Sequence, residues 1–427
     1  MWGYSRRIEE KFKRYWRVLG PGLVTGAADD DPSGIATYSQ TGAAYGFQLL
    51  WMALFTLPIA IVVQEMCARI GLVTGRGLAE NIRRAFPKPL LYLAMVLLFA
   101  ANTFNIAADI SAMAGSVRLL WPSASSLAFV IAFALASLGL QIFLSYPLYS
   151  QYLKVLALAL LSYVAAGFIV HLDWGVVLMH TVIPSITFSK SQIFILCAIL
   201  GTTISPYLFF WQASQEVEED IEHGRTSLRA RRGSSPAEIS NMRVDVISGM
   251  FFSELVMFFI IAVCASTLFA HGITNITTAS DAAAALRPLA GEWAYLLFAL
   301  GIIGTGLLSI PVLAGASAYA IAETFHWHEG LSNKMRQAEG FYGVIIVSIL
   351  VAVGIDLVGI DPIKALIWSA VGNGIVAPVI LCFIVILASS KKVMGNHTNA
   401  RSTTVVSWLI VGMMAVAGVA ALWSLFV

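Results

Sequence analysis

Residues Gly26 to Tyr38 read GAADDDPSGIATY, inside an apolar stretch about long enough to cross a bilayer. Asp29, Asp30 and Asp31 thus put three carboxylates in a row where lipid is the expected solvent. A carboxylate near the bilayer centre costs roughly 2.5 to 3.5 kcal/mol on insertion scales, so it needs a positive partner or water. No Lys or Arg lies in this stretch, nor in the second interrupted apolar stretch, GTTISPYLF from Gly201. The partner expected for Asp31, with Asp30 beside it, is therefore a transported cation. Asp29 and Asp30 also admit another reading, in which they cap a half-helix or face an aqueous vestibule.

The backbone has to be arranged to present such a site. Pro32 removes a donor and Gly34 loosens the chain, which predicts a helix that stops and restarts across Asp29 to Gly34. Gly201, Thr202, Thr203, Ser205 and Pro206 predict the same interruption in the later stretch. Unwound backbone at membrane depth is tolerated only where it lines a cavity.

The whole chain supplies the frame. Of its 427 residues 58% are hydrophobic and 12% charged, and the mean hydropathy is +0.80. So much apolar surface requires lipid, so the chain is an all-α polytopic membrane protein. Apolar windows give eleven spans: Val18 to Tyr45 (broken), Leu49 to Arg69, Leu90 to Ser111, Leu127 to Leu144, Leu153 to Val170, Ile193 to Gln212 (broken), Val246 to Leu268, Ala294 to Ala322, Phe341 to Ile355, Ala365 to Leu387 and Val405 to Phe426. The broken spans are the first and the sixth. That spacing predicts a 5+5 inverted repeat of the amino-acid-transporter-like kind, with repeats at 18–170 and 193–387 and an extra span at 405–426. In such folds the two broken helices meet at the midplane and form the substrate site, which points to a secondary transporter.

With the N-terminus inside, the outer loops hold only Arg118, Lys190, Arg287 and Lys364 of the 26 basic residues. The expected topology is therefore a cytoplasmic N-terminus and an outer C-terminus. The basic N-terminal residues precede no cleavage site, so span one is expected to stay in the mature chain. The polar stretch from Gln215 to Arg243 reads as a solvated linker. Cys67, Cys197, Cys264 and Cys382 lie in apolar segments and read as small hydrophobes rather than disulfides or a metal site. There is no GxxxxGK[ST] phosphate loop, and the net charge of +2 follows from the loop asymmetry rather than a nucleic-acid patch. Asp31 and Asp109 could be forced into an intramembrane aspartyl protease, but no GxGD sequence supports one.

At these residues a resemblance appears. The run GPGLVTGAADDDPSGIATYSQTGA is similar to the first span of the NRAMP (natural resistance-associated macrophage protein) family of divalent-metal transporters, and GTTISPY resembles that family's sixth-span signature. QEMCARIGLVTGRGLAENIR, AADISAMAGS and the LAG of span eight extend the likeness along most of the chain. The resemblance implies a metal held by a span-one Asp and Asn, a span-six Met sulfur and a span-six backbone carbonyl, with protons moving alongside. Asp31 and Pro32 match. Gly34 stands at the Asn position, Ser205 at the Met and Tyr207 at the His, while Thr202 would lend the carbonyl.

These departures exchange a soft ligand for hard oxygen. Oxygen ligands and retained waters suit Mg²⁺, which dehydrates reluctantly. Gly34 and Ser205 also widen the cavity, and Asn373 of SAVGNGIVAP is either a further oxygen donor or a helix-kink partner beside Gly372 and Gly374. The proton relay is thinned as well: Ala112 stands at an acid position of the family pattern, Tyr207 and Gln212 at histidines, and Phe341 and Tyr342 where relatives often carry arginines. Asp109 and Glu254 remain as acids; Glu254 is either hydrogen-bonded across helices or a coupling group. This resembles the NRAMP-related magnesium transporters. The expectation is import of partly hydrated Mg²⁺ across the plasma membrane with weak or no proton coupling, the ion being substrate and no cofactor or nucleic acid being involved. A proton-coupled Mn²⁺ or Fe²⁺ importer and a carrier of an organic cation or amino acid are the alternatives. Oligomeric state stays open, a monomer being one answer.

Overall fold

A computed structural model describes residues 18–426 apart from 145, 171, 188, 277, 278, 360 and 361. The described chain is helical throughout. The first span is two pieces, α1 (Pro21–Asp29) and α2 (Pro32–Tyr45). They are followed by α3 (Trp51–Thr74), the short α4 (Leu78–Ala85), α5 (Lys88–Leu120), α6 (Ser126–Phe143), α7 (Tyr146–Ala157), α8 (Leu161–Ile169) and α9 (Trp174–Val182). The sixth span is again divided, into α10 (Lys190–Thr203) and α11 (Pro206–Glu222). The chain continues through α12 (Pro236–Thr267), α13 (Ala279–Phe325), α14 (Glu339–Leu357), α15 (Pro362–Ser389) and α16 (Arg401–Phe426). Among the described residues ten helical segments are long and apolar enough to cross a membrane. The α1–α2 pair is not among them: its pieces have 9 and 14 residues, and Asp29, Asp30 and Asp31 put three carboxylates at their junction.

Both interruptions are built the same way. Only Asp30 and Asp31 leave the helix between α1 and α2, and only Ile204 and Ser205 between α10 and α11. Pro32 and Pro206 then restart the helix at its first turn, where a missing N–H costs nothing and the ring presets φ. The break is thus narrower than the predicted Asp29 to Gly34. Gly34 is helical, so its role is close approach and not a loosened backbone.

Burial separates centre from rim. In the Lys190–Glu222 segment 83% of the apolar window is buried, against 22% in Ser126–Phe143, so the divided helices are central and α6 faces lipid. Small residues let the central helices touch. A Cβ on Gly26 would strike the Gly249 carbonyl, and one on Gly249 would strike that of Gly22, so Gly22-x-x-x-Gly26 of α1 rests directly on α12. Gly201 of α10 meets Ala370 and Gly374 of α15 in the same manner.

Two other expectations change. Gln215 to Arg243 is a solvated linker only in its middle, between Glu222 and Pro236: α11 runs on to Glu222 and α12 begins at Pro236, with Ser235 and Glu238 forming a capping box. Gln215, Glu216, Glu218 and Asp220 are buried. Charge masked this helix, because its polar side chains turn inward and pair within the protein. Span eight also starts before Ala294, since α13 begins at Ala279 and kinks at Gly291 (φ 83°). The four cysteines are free.

Candidate metal site

Asp31 is the N-cap of α2, and its carboxylate is the most fully bonded group at the break. Oδ1 accepts from the Gly34 amide at 2.8 Å and from Ser33 Oγ at 2.5 Å. Oδ2 accepts from Asn105 Nδ2 of α5 at 2.6 Å. Asn105 Oδ1 accepts in turn from Ser369 Oγ of α15 at 2.8 Å. The carboxylate is therefore held from three helices while only 1% exposed. Asn105 was not singled out from the sequence. Its signal was its position one helical turn before Asp109, on the same face of α5.

The second break lies against the first. A Cβ placed on Gly34 would sit 3.1 Å from Thr202 Oγ1 and 3.2 Å from the Asp29 carbonyl. Ser205 Oγ lies 2.7 Å from the Thr202 carbonyl and 2.8 Å from that of Gly201, giving its single proton to the end of α10. Its oxygen lone pairs stay free to accept. Tyr207 donates to the Ala28 carbonyl at 2.7 Å, covering an acceptor exposed where α1 ends, and its hydroxyl is 3.4 Å from Asp31 Oδ2. Tyr38 and Thr203 close the layer with a 3.3 Å hydroxyl contact. Asn373 lies one turn beyond Ser369 on α15, its Oδ1 buried without a partner.

Asp31, Gly34, Thr202 and Ser205 are thus brought together, and Asn373 is on α15, the helix that reaches Asp31 through Ser369 and Asn105. Asp30 belongs to another environment. Among the described residues both its oxygens are buried without a hydrogen-bond partner, and the charged groups acting on it are Asp29, Glu254 and Asp31. Asp29 Oδ2 accepts from Ser253 at 2.8 Å, and Glu254 Oε2 from Thr56 at 2.8 Å. Glu254 is therefore hydrogen-bonded across helices. Asp109 Oδ2 accepts from Ser309 at 2.8 Å. Among the described residues no three His, Cys, Asp or Glu side chains converge as metal ligands. What Asp31 presents at the break is one carboxylate held by a hydroxyl, a backbone amide and a side-chain amide.

Residues 22–424 match the profile of the family described as natural resistance-associated macrophage protein-like. The chain is 26% identical over 411 residues to the divalent metal cation transporter MntH of Erwinia tasmaniensis, spanning 93% of this chain and 92% of the relative. It is 28% identical over 430 residues to the MntH of Chromohalobacter salexigens, spanning 96% and 91%. Its fold is similar to that of the Eremococcus coleocola manganese transporter, with a TM-score of 0.75, 18% identity and coverage of 95% and 86%. It is also similar to Mhp1, a nucleobase-cation-symport-1 family transporter, in a closed conformation, with a TM-score of 0.60, 14% identity and coverage of 95% and 91%.

Proposed function

The chain belongs to the natural resistance-associated macrophage protein family, whose members are membrane transporters and not enzymes, and from that premise we propose that it imports divalent cations, favouring partly hydrated Mg²⁺ with weak or no proton coupling. The observation that carries the reading is the meeting of the two helix breaks at Asp31, where Gly34 lies against Thr202 Oγ1 and a serine, Ser205, stands at the position of the family's methionine. Asp31 supplies the charge in this scheme. Ser205, the Thr202 carbonyl and Asn373 supply neutral oxygens to the ion or its waters, and Gly34 keeps the space between the breaks open. Asp30 contributes negative potential from the α12 side. A double charge entering a cell at 100 mV, negative inside, gains about 4.6 kcal/mol, from about 2.3 per elementary charge, so import needs no coupled ion. The scheme further assumes eleven spans in a 5+5 inverted repeat, a plasma-membrane location and a cytoplasmic N-terminus.

The relatives favour a second reading. They are named divalent metal cation transporters, and one solved neighbour is a manganese transporter, which favours Mn²⁺ as the ion; the second reading adds proton coupling, with Asp109 or Glu254 as the carrier. Purified chain in proteoliposomes, offered Mg²⁺ and Mn²⁺ in competition with internal pH recorded, separates the two. Mg²⁺ entry without acidification is expected, and lost on Asp31→Ala. Mn²⁺-driven acidification with no Mg²⁺ flux would overturn the first reading.

A further inference from the structure

Away from the helix breaks, the ends of α3, α4 and α15 enclose a cavity of about 890 Å³ whose lining includes Arg76, Arg84, Arg232, Lys391 and Lys392, and no carboxylate. We propose that this cavity binds the phosphate group of an anionic ligand at the membrane surface.

The charge is unbalanced. Among the described residues Glu80 is the one acid paired with these five cations, at 2.8 Å from both Arg76 and Arg84. Among the described residues Arg232, Lys391 and Lys392 have no ion-pair partner. The strain shows on Arg76: burial, with Arg84 and Arg232 close by and only Glu80 opposing, pushes its guanidinium down from the usual arginine range. A group carrying one or two negative charges would offset part of this excess, and guanidinium forks match phosphate oxygens bidentately.

The position indicates what the rest of the ligand is. Arg76 follows the apolar segment Trp51–Thr74 and Lys391 follows Ile367–Ser389, so the cations stand where hydrocarbon gives way to headgroups. Phe86, Ile386 and Leu387 supply an apolar wall to the same cavity. Basic pockets between membrane helices hold lipid headgroups in this way. The phosphate could belong to an anionic lipid or be free in solution, and the test separates them.

Full-length protein is reconstituted in nanodiscs of phosphatidylcholine alone or with phosphatidylglycerol, and retained lipid is counted by native mass spectrometry. Thermal unfolding is followed in parallel in detergent with inorganic phosphate against chloride at equal ionic strength. Wild type is expected to retain phosphatidylglycerol selectively. Neutralising three exposed cations, Arg232→Gln with Lys391→Gln and Lys392→Gln, is expected to weaken retention roughly a hundredfold, at about fivefold per charge. Stabilisation by inorganic phosphate without lipid selectivity would assign the phosphate to a soluble source. Should the triple variant not fold, Arg84→Gln alone carries the test, with a loss of about fivefold. Equal retention of both lipids together with no phosphate effect would overturn the proposal.

Discussion

Ser369, Asn105 and Asp31 form a chain of hydrogen bonds, and cutting it at successive links gives a graded result. Asn105 Nδ2 reaches Asp31 Oδ2 at 2.6 Å, and Ser369 Oγ reaches Asn105 Oδ1 at 2.8 Å. A hydrogen bond to a charged group contributes about 1.5 to 3 kcal/mol and a neutral one about 0.5 to 1.5. With tenfold per 1.4 kcal/mol, Asn105→Ala is expected to weaken divalent-ion binding roughly 10- to 150-fold, and Ser369→Ala roughly 2- to 12-fold. Ser369 acts only through Asn105, so the double variant should be no worse than Asn105→Ala alone. Isothermal titration of the three purified variants with Mg²⁺ measures this, with circular dichroism confirming that each is folded. Tighter binding by Asn105→Ala, or a double variant showing the full sum of both losses, would refute the idea that Asn105 positions the carboxylate.

Ser205→Met brings a thioether to the end of α10 and should shift competitive uptake toward Mn²⁺ or Cd²⁺; unaltered selectivity would mean the side chain does not face the ion. Gly249→Ala forces a methyl into the Gly22 backbone of α1, which cannot give way as a side chain could, and should lower stability by about 1 to 3 kcal/mol in a thermal-shift assay. Glu329 lies in the loop after α13, where burial, with Glu323, Glu80 and Glu218 around it, pushes its carboxyl from 4.5 up to about 10. It stays protonated in the folded chain while the unfolded chain ionises, so its effect is most favourable below about pH 4.5 and stability is lost as pH climbs toward 10. Glu329→Gln should therefore raise the melting temperature at pH 8 and leave it nearly unchanged at pH 4; equal shifts at both would rule out titration.

Residue types alone carried much of this protein. Long apolar runs demand lipid and helices whatever the partners, because an unpaired backbone group in hydrocarbon costs several kcal/mol. Asp31-Pro32 and Ser205-Pro206 announced the two breaks, since proline acts on its own backbone and that of the residue before it. The glycines announced crowding but not against what. Tertiary structure decided which distant groups meet. Asn105 reaches Asp31 across 74 positions, and Ser369 reaches Asn105 across 264. Three adjacent aspartates are also divided between two environments, Asp31 toward α5 and α15, and Asp29 and Asp30 toward α12. Polarity likewise misled at Gln215 to Asp220, where charge indicated water but Gln215, Glu216, Glu218 and Asp220 are buried. The physical reason is common to all of these. Helix breaking and lipid burial are local or additive properties of a segment, whereas a hydrogen bond between helices depends on their rotation and depth, which only the packed whole determines.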